Sequence, residues 1–388
     1  MVKRSALGVV LLVVAVALST AGCGLNREDP ARGDRDLEKK VLLTGAGASF
    51  PYPLYSHWIY EYSKLHDNVK INYQSMGSGA GIEQITKQVI DFGGTDAPMS
   101  DEQLREAPGE ILHIPTVIGA VAIIYNLPEV TPKIRFTPEI LADIYLGKIK
   151  KWNSPELVTV NPGLNLPERD IVVVRRSDGS GTTNIFTDYL STVSPEWKRQ
   201  VGKGTAVQWP AGMGAKGSEG LTRQVQATSG SIGYVELSYA LLNKLSYGMV
   251  RNSAGNFIEP TIESTTAAAA GAAPFMPPDL RVSIVNPLGE KAYPIAGYTY
   301  ILVYREQSDP VKGQALARFL WWAIHDGEEM AATLRYAPLP PEVVKKVEKK
   351  LQSMNSSGKK LITTQVFRIP ESGVRMPREY ASSNLPLN

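Results

Sequence analysis

Short apolar runs alternate with longer stretches of helical period along most of this chain. Val41-Leu42-Leu43-Thr44, Lys70-Ile71-Asn72-Tyr73, Ile111-Leu112-His113-Ile114 and Val117 to Tyr125 predict strands, as do Ile171 to Val174, Ile232 to Val235 and Thr299 to Tyr304. Between them, Tyr52 to His66, Gly81 to Gln88, Pro138 to Leu146 and Thr183 to Leu190 predict helices. That alternation points to an α/β protein with mainly parallel sheets. A long helix is predicted from Pro310 through Trp321-Trp322 to Leu334, ending near Pro338, with its tryptophans in core or seam packing. Pro341 to Lys350 reads as a further short helix, Ala267 to Ala273 as a surface segment and Met354 to Gly358 as a polar linker.

The chain has 388 residues, 43% of them hydrophobic, which is more than one core normally needs. Two lobes are therefore expected, although no Pro/Ser linker divides the middle.

The amino terminus has a different pattern. Lys3 and Arg4 precede an apolar run from Val9 to Leu18, then Ser19-Thr20-Ala21-Gly22-Cys23. This is the layout of an export signal, and the run is shorter than the ~20 residues of a membrane-spanning helix. Cys23 is the single cysteine, so it has no internal disulfide partner. The segment resembles a bacterial lipoprotein signal (residues 1–22), which implies that Cys23 becomes the lipid-bearing first residue of the mature chain. Thr20 stands where that pattern usually has Leu. A plain secretory peptide or a retained tethering helix are the alternatives, and both also export the protein. Residues 23–40 are polar and charged and read as a flexible tether. Removing Lys3 and Arg4 lowers the formal charge from +3 to +1, which argues against a nucleic-acid partner.

Four loops carry the candidate chemistry. Arg175-Arg176-Ser177-Asp178-Gly179-Ser180-Gly181-Thr182-Thr183-Asn184 combines cations, a carboxylate, hydroxyls and glycines. The glycines let backbone N–H groups curl around an oxygen, and Arg176 can present two donors at once. Such a set suits a compact tetrahedral anion that is gripped rather than transformed. Alone it also fits an ordinary loop before a helix. Thr44-Gly45-Ala46-Gly47-Ala48-Ser49-Phe50-Pro51 and Ser75-Met76-Gly77-Ser78-Gly79-Ala80-Gly81 each lead from a strand into a helix, where unpaired N–H groups and a serine hydroxyl form an anion seat. Neither has the Lys-Ser/Thr ending of a P-loop. Asp96, in Asp91-Phe92-Gly93-Gly94-Thr95-Asp96-Ala97-Pro98, would by itself read as a turn cap. In α/β lobes, however, ligands gather at the carboxyl ends of strands, so Ser49, Ser78, Asp96 and Ser180 are expected in one cleft with backbone donors from Phe50, Gly181 and Thr182.

These motifs closely resemble the phosphate-binding proteins of bacterial ABC phosphate importers. Supporting stretches are Leu43 through Pro51, Asp91-Phe92-Gly93 through Ala97-Pro98, Asp143-Ile144-Tyr145-Leu146-Gly147-Lys148-Ile149 through Trp152, and Gly230-Ser231-Ile232-Gly233-Tyr234-Val235-Glu236. The resemblance spans roughly Val41 to Met354. It implies a two-lobed periplasmic-binding-protein fold of class II, with the ligand cleft between lobes joined by hinge crossings. Residues 41–117 with 291–352 would form lobe I, 118–290 lobe II and 353–388 a C-terminal extension. Crossings are implied at Thr116-Val117-Ile118-Gly119 and before Tyr293-Pro294-Ile295.

For the site, the resemblance implies that phosphate meets Ser49, where the family often has Thr, the N–H of Phe50, Ser78 and the proton-accepting Asp96. The opposite lobe would add Arg176, Ser180, Gly181 and Thr182, with Asp178 orienting Arg176. Implied partners are inorganic phosphate, the permease and ATPase subunits of an importer, and the membrane through the N-terminal lipid. The expected protein is a monomer on the periplasmic or extracellular face, without a cofactor or metal.

Two other readings bear on the same residues. An exported phosphate-ester hydrolase would use Ser180 as nucleophile, Arg176 as clamp and Asp96 as base. Yet the four histidines, His57, His66, His113 and His325, show no HExxH spacing, and no nucleophile elbow is present. His113, in an apolar strand, reads as a satisfied core residue. A surface adhesive protein on the same fold is the third reading, suggested by the tether and the C-terminal tail.

Overall fold

The computed structural model describes residues 40–131 and 133–362. The export signal, Cys23, nearly all of the tether and the tail beyond residue 362 lie outside the described residues. The strands are β1 (Val41–Gly47), β2 (Val69–Ser75), β3 (Phe92–Thr95), β4 (Ile111–Tyr125), β5 (Arg135–Phe136), β6 (Val172–Arg176), β7 (Met213–Ala215), β8 (Ser231–Glu236), β9 (Ser246–Tyr247), β10 (Met249–Arg251), β11 (Phe257–Ile258) and β12 (Ala296–Tyr304). The main sheet runs β2-β1-β3-β12-β4-β8-β6-β7, with β9 also on β4, while β11-β10-β5 form a small separate sheet.

The pairing gives two parallel wings around an antiparallel centre. β1 is parallel to β2 and β3 on one side, and β6 is parallel to β7 and β8 on the other. Between the wings β12 lies antiparallel to β3 and β4, and β4 antiparallel to β8. The mainly parallel expectation therefore holds in the wings and fails at the centre. There β12 joins β3 to β4, and β4 runs on from β12 to pair with β8, each neighbour antiparallel.

The two predicted strands at Ile111–Ile114 and Val117–Tyr125 are one strand, buried throughout its 15 residues. Pro115 interrupts the apolar pattern, and the ladder accommodates it by a register shift opposite Thr299/Tyr300. Proline lacks the N–H that a regular interior ladder needs, so it is tolerated at such an irregularity. The shift leaves Thr116 outside the regular pairing, where its hydroxyl lies 2.8 Å from that of Tyr55.

Aromatic side chains fill both wings. Tyr55 stacks on Trp58 and meets Tyr73 edge-on in the first, and Phe186 stacks on Tyr234 with Tyr145 and Trp209 beside them in the second. His113 is buried and accepts the Met99 N–H at 3.0 Å, as a satisfied core histidine would. Burial pushes its pKa down to about 3, so it stays neutral.

Three further expectations are corrected. The helix from Pro310 ends at Ala323, and a separate helix spans Glu328–Thr333. The turn between them is fixed by Trp58, whose Nε1 donates to the Gly327 carbonyl at 2.7 Å. The alanine-rich segment belongs to the Ile262–Ala272 helix and buries Ala268 and Ala269 completely, so it is core rather than surface. Met354–Gly358 is a hairpin, not a linker: β13 (Asn355–Ser356) pairs with β14 (Lys359–Lys360), and Met354 is buried.

Candidate functional site

β1, β2 and β3 each end at one edge of the first wing, and the loop after β6 faces them from the second. Gly47 closes β1 at φ +143, where an added Cβ would lie 2.1 Å from the Gly94 carbonyl oxygen. Only glycine fits there, and its absence of a side chain lets the Ser49 loop lie against β3. Ser78 begins the Ser78–Thr86 helix, and Ser180 caps the Gly181–Val193 helix by accepting the Thr183 N–H at 3.1 Å.

The loops meet directly. Gly79 N–H donates to the Gly179 carbonyl at 2.9 Å, and Gly181 N–H donates to Ser78 Oγ at 3.0 Å. Ser78 Oγ in turn donates to Asp96 Oδ2 at 3.3 Å and accepts the Asp96 N–H at 3.2 Å. A Cβ on Gly181 would fall 2.5 Å from Ser78 Oγ and 2.6 Å from Asp96 Oδ2. The facing loops are thus in a closed arrangement that requires a bare backbone at this point.

Arg176 grips Asp178 with two parallel hydrogen bonds, Nε to Oδ1 at 2.7 Å and Nη2 to Oδ2 at 2.5 Å. Gly217 N–H adds a donor to Asp178 Oδ1 at 3.0 Å. Burial pushes the Asp178 carboxyl up, but the Arg176 hydrogen bonds and charge and the Gly217 N–H outweigh it and hold it below the usual carboxylate range. Arg176 stays cationic, since Asp178 more than offsets its own burial. The pair leaves Nη1 of Arg176 directed elsewhere, 3.3 Å from Ser218 Oγ.

Asp96 is buried opposite this pair. Burial pushes its pKa up to about 7, against the Thr299 hydrogen bond, the Arg176 charge and the Ser78 hydrogen bond, all of which lower it. Thr299 Oγ1 donates to Asp96 Oδ1 at 2.7 Å, from the strand residue beside the β4 irregularity. Thr182 is 1% exposed, and its Oγ1 has no partner among the described atoms. A buried hydroxyl without a partner is an open donor at the start of a helix whose first N–H groups also lack intrahelical partners.

Every residue expected in the anion site is described, while Cys23 lies outside the described residues. Ser49, Ser78, Asp96, Arg176, Ser180, Gly181 and Thr182 come together, Asp178 supports Arg176, and Phe50 is buried with its carbonyl accepting the Tyr336 hydroxyl at 2.7 Å. Sequence reasoning missed Ser218, Glu219, Tyr239 and Thr299. Tyr239 OH lies 2.7 Å from the Ser49 carbonyl oxygen and 2.9 Å from Glu219 Oε1, two acceptors that share its single proton. The Gly217-Ser218-Glu219-Gly220 turn was the available signal for two of these; Thr299 reads only as a strand residue. Among the described residues, Ser180 Oγ accepts the Thr183 N–H and has no histidine partner. His325 instead contacts Glu348 and the Trp321 carbonyl.

Beyond Asp96 a cavity of about 590 Å³ is bounded by Asn184, Asp188, Lys203, Arg281 and Ser283, among others. Asp96 lines it as well, and its other charges are paired within the wall: Lys203 and Ser283 hold Asp188 at 2.8 and 2.7 Å, and Arg281 holds Asp279 and Asp101, each at 2.8 Å.

Comparison with known proteins places this geometry. Residues 27–326 match the model of the PBP superfamily domain. The chain is 44% identical over 353 residues to the phosphate-binding protein PstS of Xylella fastidiosa (strain 9a5c), covering 88% of this chain and 96% of that protein. It is 45% identical over 322 residues to the phosphate-binding protein PstS of Pasteurella multocida (strain Pm70), covering 82% and 93%. Among solved structures, the phosphate-binding protein of Stenotrophomonas maltophilia superposes with a TM-score of 0.61 at 21% identity, over 79% of this chain and 93% of that one, a likeness of fold. With its two-winged sheet, its facing loops and relatives of this closeness, the chain belongs to the PstS family of phosphate-binding proteins within the periplasmic-binding-protein superfamily.

Proposed function

We propose that this protein binds inorganic phosphate outside the cytoplasmic membrane and delivers it to an ABC-type import permease driven by its ATPase. The observation that carries this reading is the buried Asp96 carboxyl facing the Arg176–Asp178 pair across Ser78 and Gly181. In this reading Ser49, the Phe50 N–H, Ser78, Arg176, Ser180, Gly181 and Thr182 donate to the phosphate oxygens. Asp96 accepts the hydrogen bond of the ligand's own proton, and Asp178 orients Arg176.

The same arrangement gives selectivity. Phosphate near neutral pH keeps at least one proton, so an ionised Asp96 can accept from it. Sulfate is fully ionised and would place an oxygen against a carboxylate with no proton between them. Burying that unmatched pair is unfavourable by several kcal/mol.

The proposed lobes are 41–117 with 291–352 and 118–290, with crossings at Thr116–Gly119 and before Tyr293–Ile295. Cys23 is the proposed lipid attachment site, holding a monomer to the membrane through the 23–40 tether. Catalysis is not part of this reading, in line with the binding-protein relatives.

Parallel calorimetric titrations of phosphate and sulfate test it. Asp96→Asn should retain measurable phosphate binding and narrow the preference for phosphate over sulfate. Unchanged discrimination, or a wild-type protein that takes up no phosphate, would defeat the reading.

A further inference from the structure

Ser218 stands where the two halves of the site touch, yet no site residue read from the sequence includes it. It is completely buried near the start of the Gly217–Ala227 helix. Its Oγ lies 2.8 Å from Ser49 Oγ and 3.3 Å from Arg176 Nη1, and its backbone N–H donates to Ser49 Oγ at 3.2 Å. These contacts join a hydroxyl on the β1 side to the guanidinium on the β6 side.

The hydrogen-bond inventory of the three groups constrains what Ser218 does. Arg176 only donates, so Ser218 Oγ accepts from it. Ser49 Oγ accepts from the Ser218 N–H, leaving its own proton free. Each hydroxyl then has one proton to place, and the short Oγ···Oγ contact uses only one of them. The second proton has no partner within the pair, and it belongs to a buried group, where an unmade hydrogen bond is unfavourable. An anion oxygen between Ser49 and Arg176 would receive it.

We infer that Ser218 is a further ligand-positioning residue of the anion site: its hydroxyl, held by Arg176, works with Ser49 as a paired donor that the bound phosphate completes. The inference rests on the phosphate reading above. It also gives the Gly217–Glu219 turn a distinct task. Gly217 N–H holds Asp178, and the next residue links Arg176 to the opposite loop.

The test uses the full chain stripped of bound anion. Phosphate affinity and ligand-free thermal stability are measured for the wild type, Ser218→Ala, Ser218→Thr, Ser49→Ala and the Ser49→Ala/Ser218→Ala double variant. Ser218→Ala should weaken phosphate binding about tenfold or more, the loss expected when a hydroxyl bonded to a charged group is removed. Ligand-free stability should change little, Ser218→Thr should restore most of the affinity, and the double variant should lose less than the product of the single losses. Wild-type affinity in Ser218→Ala would overturn the inference. So would a loss that Ser218→Thr fails to restore and that tracks a fall in ligand-free stability, since that marks packing alone; independent losses at the two serines would overturn the pairing. Failure of the wild type itself to bind phosphate would instead strike the phosphate reading, with this inference falling as its consequence.

Discussion

Asp96 is held by contacts that pull its proton in opposite directions. Burial favours the neutral acid, while Thr299, Arg176 and Ser78 favour the carboxylate, and the balance lies at about 7. Below that pH the unliganded site carries a proton on Asp96 and can donate to sulfate; above it the bare carboxylate repels sulfate. Competition by sulfate should therefore strengthen as pH falls through about 7. Thr299→Val removes a hydrogen bond that stabilises the charged form, so the onset of sulfate competition should move to higher pH, measured by phosphate displacement across a pH series. An onset that does not move would separate Thr299 from the selectivity. At this scale Asp96 and Arg176 were legible only because several glycine-rich loops at strand ends were read together, since each alone also fits an ordinary turn or loop. Thr299 and Ser218 were not. A threonine in an apolar strand and a serine at a helix start are common for structural reasons, and only the register of β12 on β4 and the approach of the two halves give them a role.

The elements explain why the loops can meet. Gly181, first in its helix, lets its N–H reach Ser78 Oγ with no intervening Cβ. Gly181→Ala would place a methyl inside contact distance of both Ser78 and Asp96, forcing the loops apart. Overpacking of this kind is unfavourable by about 1–3 kcal/mol, and it should appear as weakened phosphate affinity with nearly unchanged ligand-free melting. An unaltered affinity would show that the loops part without penalty. Element boundaries were read less well than element types, for identifiable reasons. Pro115 made one strand look like two, because a local pattern does not show the register shift that accommodates it. The Pro310 helix seemed to continue past Ala323 because Ala331 of the following helix is buried too, so apolar periodicity persists across the break. The bond from Trp58 to Gly327 joins residues 269 apart in sequence, beyond the reach of any window. In Ile262–Ala272, alanines offered too little contrast between faces to reveal which side is buried.

For the whole molecule, the alternation of strands and helices disclosed the α/β class, while the antiparallel centre required knowing that β12 returns between β3 and β4. The described arrangement is closed, with Gly79–Gly179, Gly181–Ser78 and Ser49–Ser218 contacts across the cleft. Further contacts, from Tyr239 to the Ser49 carbonyl and from Arg281 to Asp101, add to them. A ligand that bridges both sides biases the balance toward closure by its differential affinity for the closed form. Small-angle scattering should show a smaller radius of gyration after phosphate is added to anion-free protein. Superimposable profiles at saturation would argue against coupled closure.

The unbroken passage of β4 through both sides of the sheet has a consequence for how the protein can come apart. Residues 111–120 of this strand pair with β12 and residues 121–125 pair with β8, so one continuous strand ties the two wings together. Dividing the gene into two separately expressed lobes would leave at least one fragment with a bare, greasy ribbon edge that invites self-association. Because the same strand pairs with β12 and with β8, loosening it would weaken both halves of the sheet at once.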